Sequence, residues 1–340
     1  MNARELVQKT LAFGSPERIP RQIWILPWAE EQYSDAVCQL RKAFPDDIVY
    51  APAVYKKTLQ TVGHEYRPGI YVDEWGCIFT NVQRGIIGSV QKPLIAEWQD
   101  LDSFKVPESV LSLDRDAVNA FCKETDRFVL AGTAQRPFER LQFLRTMKQA
   151  FVDLAEQPSE LFELLKRIHG LYRKEVELWA STDVDAIVLV DDWGTQNRLM
   201  VSPSLWRRIF KPMYQEYAAI ARHYGKYMFM HSDGYIIDII PDLIEIGINA
   251  LNSQIFCMGV DALGERFRGK ITFWGEIDRQ HLLPHGSRKE IEQAVYKMWH
   301  HLYAEGGVIA QCEFGPGAKP ENVFSMFEIW NSISQSKGKV

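Results

Sequence analysis

The sequence predicts an α/β barrel: eight parallel strands, each followed by a helix, with the active site at the C-terminal ends of the strands. Three observations predict it. Short apolar, β-branched runs alternate with longer helical stretches through the C-terminal half, which means a parallel sheet covered on both faces. Polar residues stand after one such run after another, and a barrel gathers its site from many strand ends in this way. No G-x-G-x-x-G follows an early strand, so an open doubly wound sheet with one ligand crevice lacks its main signature.

The length agrees. A chain of 340 residues suits a barrel, a fold that commonly takes about 250 residues or more as one domain. No repeat, low-complexity stretch or long linker divides it, so a single domain over residues 1–340 is the simpler reading. The chain is 46% hydrophobic and 24% charged with a net charge of -5, which offers nothing to attract nucleic acid or a membrane surface. There is no apolar run of about 18 residues for a transmembrane helix. The opening MNARELVQKTLAFGSPERIP mixes charges with a helical period and lacks a signal peptide's apolar centre. A cytoplasmic protein is expected. Five cysteines, an odd number, lie far apart with no C-x-x-C, so free thiols are expected rather than a disulfide framework.

The elements follow in order. Asp47 to Tyr50 and Phe128 to Ala131 read as strands, and Phe138 to Ala155 and Leu161 to Ala180 as helices. Between them, residues 66–94 read as an irregular or β-hairpin-like excursion carrying Asp73-Glu74-Trp75-Gly76, a tight turn with a tryptophan anchor. Ala186 to Val190 is an apolar strand ending in Asp191-Asp192. Ser202 caps a helix with Pro203 in its first turn, and that helix runs to about Tyr224 before Gly225. Tyr227 to Met230 is a strand ending in His231-Ser232-Asp233-Gly234, followed by a helix to Gly247. Ala250-Leu251 ends in Asn252, and Ile271 to Trp274 ends in Gly275-Glu276. A helix over roughly Ser287 to Glu305 leads to the last strand, Val308 to Ala310, which ends in Cys312-Glu313, and Pro320-Glu321 opens the final helix.

The strand ends carry the chemistry. His231 is either a core histidine satisfied by a carbonyl or a functional imidazole, and Asp233 points a second polar group into its loop. A glutamate at Glu276 is costly to bury without a partner. Alone, Cys312 reads as packing and Glu276 as a solvated charge. Read together, the ends of strands five, seven and eight surround one mouth, and His, Cys and Glu all ligate zinc. A catalytic zinc takes about three protein groups and keeps one position open. The expected ligands are His231, Cys312 and Glu276, with Asp233 or Glu313 able to replace Glu276. Asp191 and Asp192 cannot both be buried cheaply. One is expected to orient His231 or act as acid or base while the other faces water. Trp193, Asn252 and Arg136 are the expected substrate contacts. Arg136 and Arg140 either hold an anion or lie on a surface helix face.

The same residues resemble the uroporphyrinogen decarboxylase superfamily along nearly the whole chain. The resemblance rests on Arg4-Glu5-Leu6-Val7 with Pro16-Glu17-Arg18-Ile19-Pro20, on Asp73-Glu74-Trp75-Gly76, and on Asp191-Asp192-Trp193-Gly194. It continues through Ser202-Pro203 with Phe210-Lys211-Pro212, Gly225-Lys226 leading to His231-Ser232-Asp233-Gly234, Phe273-Trp274-Gly275 and Pro320-Glu321-Asn322. It implies a distorted (β/α)8 TIM barrel and a homodimer, the common state in that superfamily. True uroporphyrinogen decarboxylases work without a cofactor and grip their substrate with an RQAGRY segment. Here Pro20 to Pro27 reads PRQIWILP: Arg21 and Gln22 are present, but the Ala-Gly-Arg continuation is missing. A substrate with many carboxylates needs several arginines, so this departure counts against that activity.

The chain is more similar to the corrinoid-linked methyltransferases. These include methylcobamide:coenzyme M enzymes and O-demethylase methyltransferases of methoxyaromatics. The coenzyme M enzymes bind zinc through His-x-Cys and a later Cys. His231 matches the histidine, Cys312 falls near the later cysteine, and Asp233 replaces the middle one. An oxygen-containing site suits an ether or phenol oxygen better than a thiol. The resemblance therefore implies a zinc-dependent methyltransferase that moves a methyl group from a small donor, such as an aryl methyl ether, to a corrinoid. This chain carries no D-x-H-x-x-G corrinoid motif, so the corrinoid would sit on a separate protein. A cofactor-free decarboxylase of a porphyrinogen-like acid and a non-catalytic ligand-binding barrel are the alternatives.

Overall fold

The structure, a computed structural model, describes residues 1–337. Its barrel strands are β1 (Arg21–Ile25), β2 (Ile48–Tyr50), β3 (Phe128–Gln135), β4 (Ala186–Val190), β5 (Tyr227–Ser232), β6 (Ala250–Ser253), β7 (Thr272–Trp274) and β8 (Val308–Phe314). All neighbours pair in parallel, in the order β1-β8-β7-β6-β5-β4-β3-β2. This is the expected (β/α)8 TIM barrel. β1 and β2 complete the ring without a strand ladder. The Asp47 N–H donates to the Arg21 carbonyl (2.9 Å), and the Asp46 and Asp47 carboxylates accept from the N–H groups of Ile23 (2.7 Å) and Arg21 (2.9 Å). One backbone bond and two carboxylates thus close the seam that has no strand ladder.

Alternation along each strand sorts residues between two cores. Ile48, Phe128, Leu130, Ala186, Val188, Phe229, Ala250, Trp274 and Ile309 point inward and pack as one cluster. Helix Ala3–Leu11 closes the bottom of the barrel by adding Val7 and Leu11 to that cluster. An Asn2–Glu5 capping box starts this helix, and Arg4 ties it to Asp185 at 3.0 Å. Burying two such side chains contributes about 1.5–3 kcal/mol each. The intervening strand residues pack under the outer helices in a second, larger cluster.

Some boundaries differ from the sequence reading. β1 had no expected counterpart, because RQIWI begins with two polar residues. The helix expected over Phe138 to Ala155 is two helices, Pro137–Arg145 and Met147–Glu156, broken at Thr146 with φ 69°. The helix expected from Ser202 to Tyr224 likewise divides into Pro203–Ile209 and Lys211–His223, with Pro212 in the first turn of the second. Residues 66–94 contain three antiparallel strands, Gly69–Val72, Ile78–Asn81 and Ser89–Lys92. This excursion is anchored by Asp73, which accepts from the N–H groups of Trp75 and Cys77 and pairs with Arg140 after β3. All five cysteines are free, and Cys77, Cys122 and Cys312 are buried. Among the described residues, no helix is long and apolar enough to cross a membrane.

Candidate active site at the barrel mouth

The pairing of β4 with β5 continues past the ends of the strands. N–H groups of Asp191, Gly194 and Tyr235 donate to the carbonyls of His231 (3.1 Å), Asp233 (3.0 Å) and Thr195 (2.7 Å), and the Trp193 N–H donates to the Ser232 hydroxyl (3.0 Å). Two glycines permit this approach. A Cβ on Gly234, at φ 76°, would lie 2.3 Å from the Gly194 carbonyl, and one on Gly194 would lie 2.5 Å from the Gly234 carbonyl carbon. The zipped loops bring Asp192 beside Asp233, whose N–H donates to Asp192 Oδ1 at 2.8 Å.

His231 follows Phe229 by two residues and so points inward, one layer above the apolar interior. Its Nδ1 meets Asn252 Oδ1 at 2.5 Å. The Asn252 amide group donates to the Trp274 carbonyl and to Gln311 Oε1, so its oxygen must be what faces the ring. The imidazole therefore carries its proton on Nδ1, and the lone pair is on Nε2. That nitrogen stands 3.6 Å from Asp192 Oδ1 and 3.6 Å from Asp233 Oδ1. Trp24 packs against the ring at 5.2 Å between centroids.

One ligand atom from each of Asp192, His231 and Asp233 lies within 4.8 Å of the other two. Asp233 Oδ1 is buried and accepts no hydrogen bond. An orphaned carboxylate oxygen, a second carboxylate and an oriented imidazole lone pair together fit a divalent cation. A one-nitrogen, two-oxygen set is hard, and it leaves further coordination positions open.

The other expected ligands are engaged differently. Arg279, in the loop after β7, bonds Asp233 Oδ2 and reaches Glu276 at 3.2 Å and Glu313 at 2.9 Å. Glu276 is only 2% exposed, and burial pushes its carboxyl well above the usual range, with Arg279 opposing the shift. Glu276 and Glu313 thus serve a shared guanidinium rather than His231. Sequence reasoning missed Arg279, although its position three residues after Glu276 offered a signal.

Three expectations are corrected by burial. Cys312 alternates with the inward residues Ile309 and Gln311, so its thiol is fully buried in the outer core. It does not join the cluster around His231. Asp191, one of the two candidate catalytic acids, neither faces water nor joins the cluster around His231. It is fully buried and accepts from the N–H groups of Phe138 (2.9 Å) and Glu139 (2.7 Å) and from the Tyr214 hydroxyl (2.5 Å). Burial pushes its carboxyl up to about 7, opposed by these bonds, and its role is to cap the helix after β3. Trp193 is also fully buried, stacked on Phe138 at 4.0 Å with its indole N–H donated to Tyr214, so it cannot touch substrate. Asn252 acts through His231. Asp192 alone of the aspartate pair reaches the mouth.

Beside β3 lies a cavity of 790 Å³ between the mouth and the 66–94 excursion. Tyr55, Tyr66, Tyr71, Phe79 and Phe143 supply aromatic surface, and Arg136, Glu139 and Glu175 line it as well. Glu139 is a second residue that sequence reasoning missed. Its carboxyl is pushed up to about 8, first by burial, and feels both Asp192 and His231. It therefore links the cavity electrostatically to the His231 cluster.

No curated relative matches the chain. Among solved structures, a methyltransferase from Methanosarcina mazei matches with a TM-score of 0.70 and 16% identity, covering 98% of this chain and 99% of that one. At that identity the likeness is one of fold. A glycosylated endo-beta-1,4-xylanase of glycoside hydrolase family 10 from Gloeophyllum trabeum matches 63% of this chain and 79% of its own, at 12% identity and a TM-score of 0.39, which carries no argument. The sequence itself matches the uroporphyrinogen decarboxylase (URO-D) family over residues 73–333, from the excursion's turn through β3–β8 into the last helix. That span holds every residue of the His231 cluster, and the chain belongs to the URO-D family.

Proposed function

We propose that this protein is a zinc-dependent methyltransferase that moves a methyl group from a small aryl methyl ether to a corrinoid carried by a separate protein. The observation that carries this reading is the His231 cluster: Nδ1 is locked by Asn252, and Nε2 faces two carboxylates beside an aromatic cavity. The whole-chain likeness to a methyltransferase from Methanosarcina mazei supports it. The lining counts against a decarboxylase of polycarboxylates, because Arg140 is already paired with Asp73 and Arg136 is the single further cation among the cavity's acids.

A divalent ion held by His231, Asp192 and Asp233 would supply Lewis acidity toward an ether oxygen. The protein's own groups do the rest. Asn252 fixes the imidazole, and Arg279 turns Asp233 so that Oδ1 faces His231. The aromatic walls hold the donor's ring and exclude water. As the methyl–oxygen bond breaks, its electron pair stays on oxygen, and the Glu139 carboxyl, protonated at neutral pH, supplies the proton. Methyl transfer to the acceptor and proton transfer to the phenoxide balance the reaction. This assignment of ligands replaces Cys312 and Glu276 by Asp192.

The test has two readouts on the purified full chain. Metal analysis without chelators is expected to give one zinc per chain, lost in His231→Ala. Methyl transfer from a methoxyarene panel to free cob(I)alamin is expected in the wild type alone. A metal-free wild-type protein overturns the zinc site. A metal-loaded protein that demethylates none of the panel overturns the donor class.

A further inference from the structure

We infer that the cavity beside β3 selects aryl methyl ethers that carry an ammonium group and rejects those that carry a carboxylate. The inference rests on the methyltransferase reading for the ether. It rests on the cavity's own charges for the ammonium.

Five acids line the cavity, Glu65, Asp73, Glu74, Glu139 and Glu175, against two cations, Arg136 and Arg140. Arg140 is not free. Arg140 is nearly buried between the Trp75 ring, at 4.6 Å, and the Phe143 ring, at 5.3 Å, and pairs with Asp73 at 2.5 Å. Glu74 stands 3.8 Å from that same guanidinium. Arg136 lies 3.7 Å from Glu139. Among the described ion pairs none includes Glu65 or Glu175, and even with Glu139 protonated the remaining acids outnumber the two arginines, so the wall's excess charge is negative.

Glu175 is the sharper of the two. It is 5% exposed, and its charge meets only neutral donors, the Gln135 amide at 3.1 Å and the Thr133 hydroxyl. The outer oxygen of that amide is itself buried without a partner. A lone buried carboxylate works against folding unless something compensates it. A protonated amine in the cavity would compensate it. The tyrosine faces around it would add cation–π attraction. A carboxylate on the donor would face the same wall as a like charge, which is a built-in rejection. The volume of 790 Å³ leaves room for a substituted benzene ring and a short charged arm.

A charge-swapped ligand pair tests this. Isothermal titration of the full chain at about pH 8, where Glu175 is ionised, compares para-methoxyphenethylamine with para-methoxyphenylpropionate. The amine is expected to bind about tenfold or more tightly. Glu175→Gln is expected to erase most of that preference by weakening the amine and not the acid. The variant removes an unpaired buried charge, so it should fold, and its melting temperature checks this. Equal or tighter binding of the acid, or binding of neither, overturns the inference, as does an unchanged preference in folded Glu175→Gln. The cob(I)alamin assay separates the two levels. An amine that binds but is never demethylated leaves the cavity's selectivity standing and sinks the methyltransferase reading. An acid that binds better and is demethylated does the reverse.

Discussion

Two sides of the barrel mouth are built on opposite plans. On the β4–β5 side, the two loops are zipped by backbone hydrogen bonds, and His231 is held through Asn252, Trp274 and Gln311. On the β3 side, Glu175 and Glu65 face a large cavity with no ion-pair partners among the described residues. The first side is preorganised: its partners are in place before any ligand arrives, and it suits groups that must hold one geometry. The second stores uncompensated charge and suits a ligand that brings the missing partner. Each side can be broken by itself, and the effects should differ in kind.

The largest effect is expected from His231→Ala. It removes the only nitrogen from the Asp192–His231–Asp233 set. Methyl transfer should fall by about a thousandfold or more, with bound zinc lost, while amine binding in the cavity is retained. Transfer and zinc content measured together check it. Zinc retained at full stoichiometry would place the metal elsewhere.

Next comes Gly234→Ala, which attacks the zipper. The new Cβ would meet the Gly194 carbonyl at 2.3 Å, in a backbone conformation at φ 76° that disfavours any side chain. A loss of about 3 kcal/mol is expected in urea unfolding. A loss below about 1 kcal/mol would mean the loops can part, and the preorganised side would be softer than its geometry implies.

Asn252→Ala should act more gently, through His231 alone. Loss of the Nδ1 partner frees the ring to turn and change tautomer. Zinc affinity should fall about 10–100-fold. Asn252→Asp keeps an acceptor for Nδ1 but sets its second oxygen against the Trp274 carbonyl, so it should recover zinc affinity in part, an outcome that a purely structural role for Asn252 would not produce.

These contrasts also explain what could be read from the chain beforehand. The barrel was legible because parallel strands, buried on both faces, leave apolar runs that punctuate the sequence, and because each run ends in polar residues. That same burial hid the parity. Val308-Ile309-Ala310 carries no alternation to say which face is inward, so nothing marked Cys312 as outer core and Gln311 as inner. The pair Asp191-Asp192 shows the same limit: neighbours on one strand end, they face opposite layers, and only Asp192 reaches His231. Asp233 was legible because its loop position follows directly from His231. Arg279 and Glu139 were not, because their roles come from loops and helix starts that the barrel brings together from distant strands. β1 escaped notice because its polar residues serve the seam and the interior, with Gln22 accepting from the Trp274 indole.

The smallest effect belongs to the cavity side, and its sign reverses the others. Burial raises the Glu175 carboxyl from 4.5 to about 7, with the Gln135 hydrogen bond opposing the shift. A group whose folded value lies above its unfolded value contributes stability that is fully present below about pH 4.5. That contribution is lost as pH rises through about 7. Above that, the ionised carboxylate is a standing penalty on the folded state. Glu175→Gln removes the titration and keeps the shape. It should therefore leave stability nearly unchanged at about pH 5 and raise it by about 1–2 kcal/mol at about pH 8. Melting temperatures of both proteins at the two pH values check this. A protonated amine should produce the same gain in the wild type and none in the variant, because the ligand and the substitution cancel one and the same charge. If the variant is stabilised equally at both pH values, Glu175 is not the titrating group. The contrast between a satisfied side and an unsatisfied side of the mouth would then have to rest on Glu65.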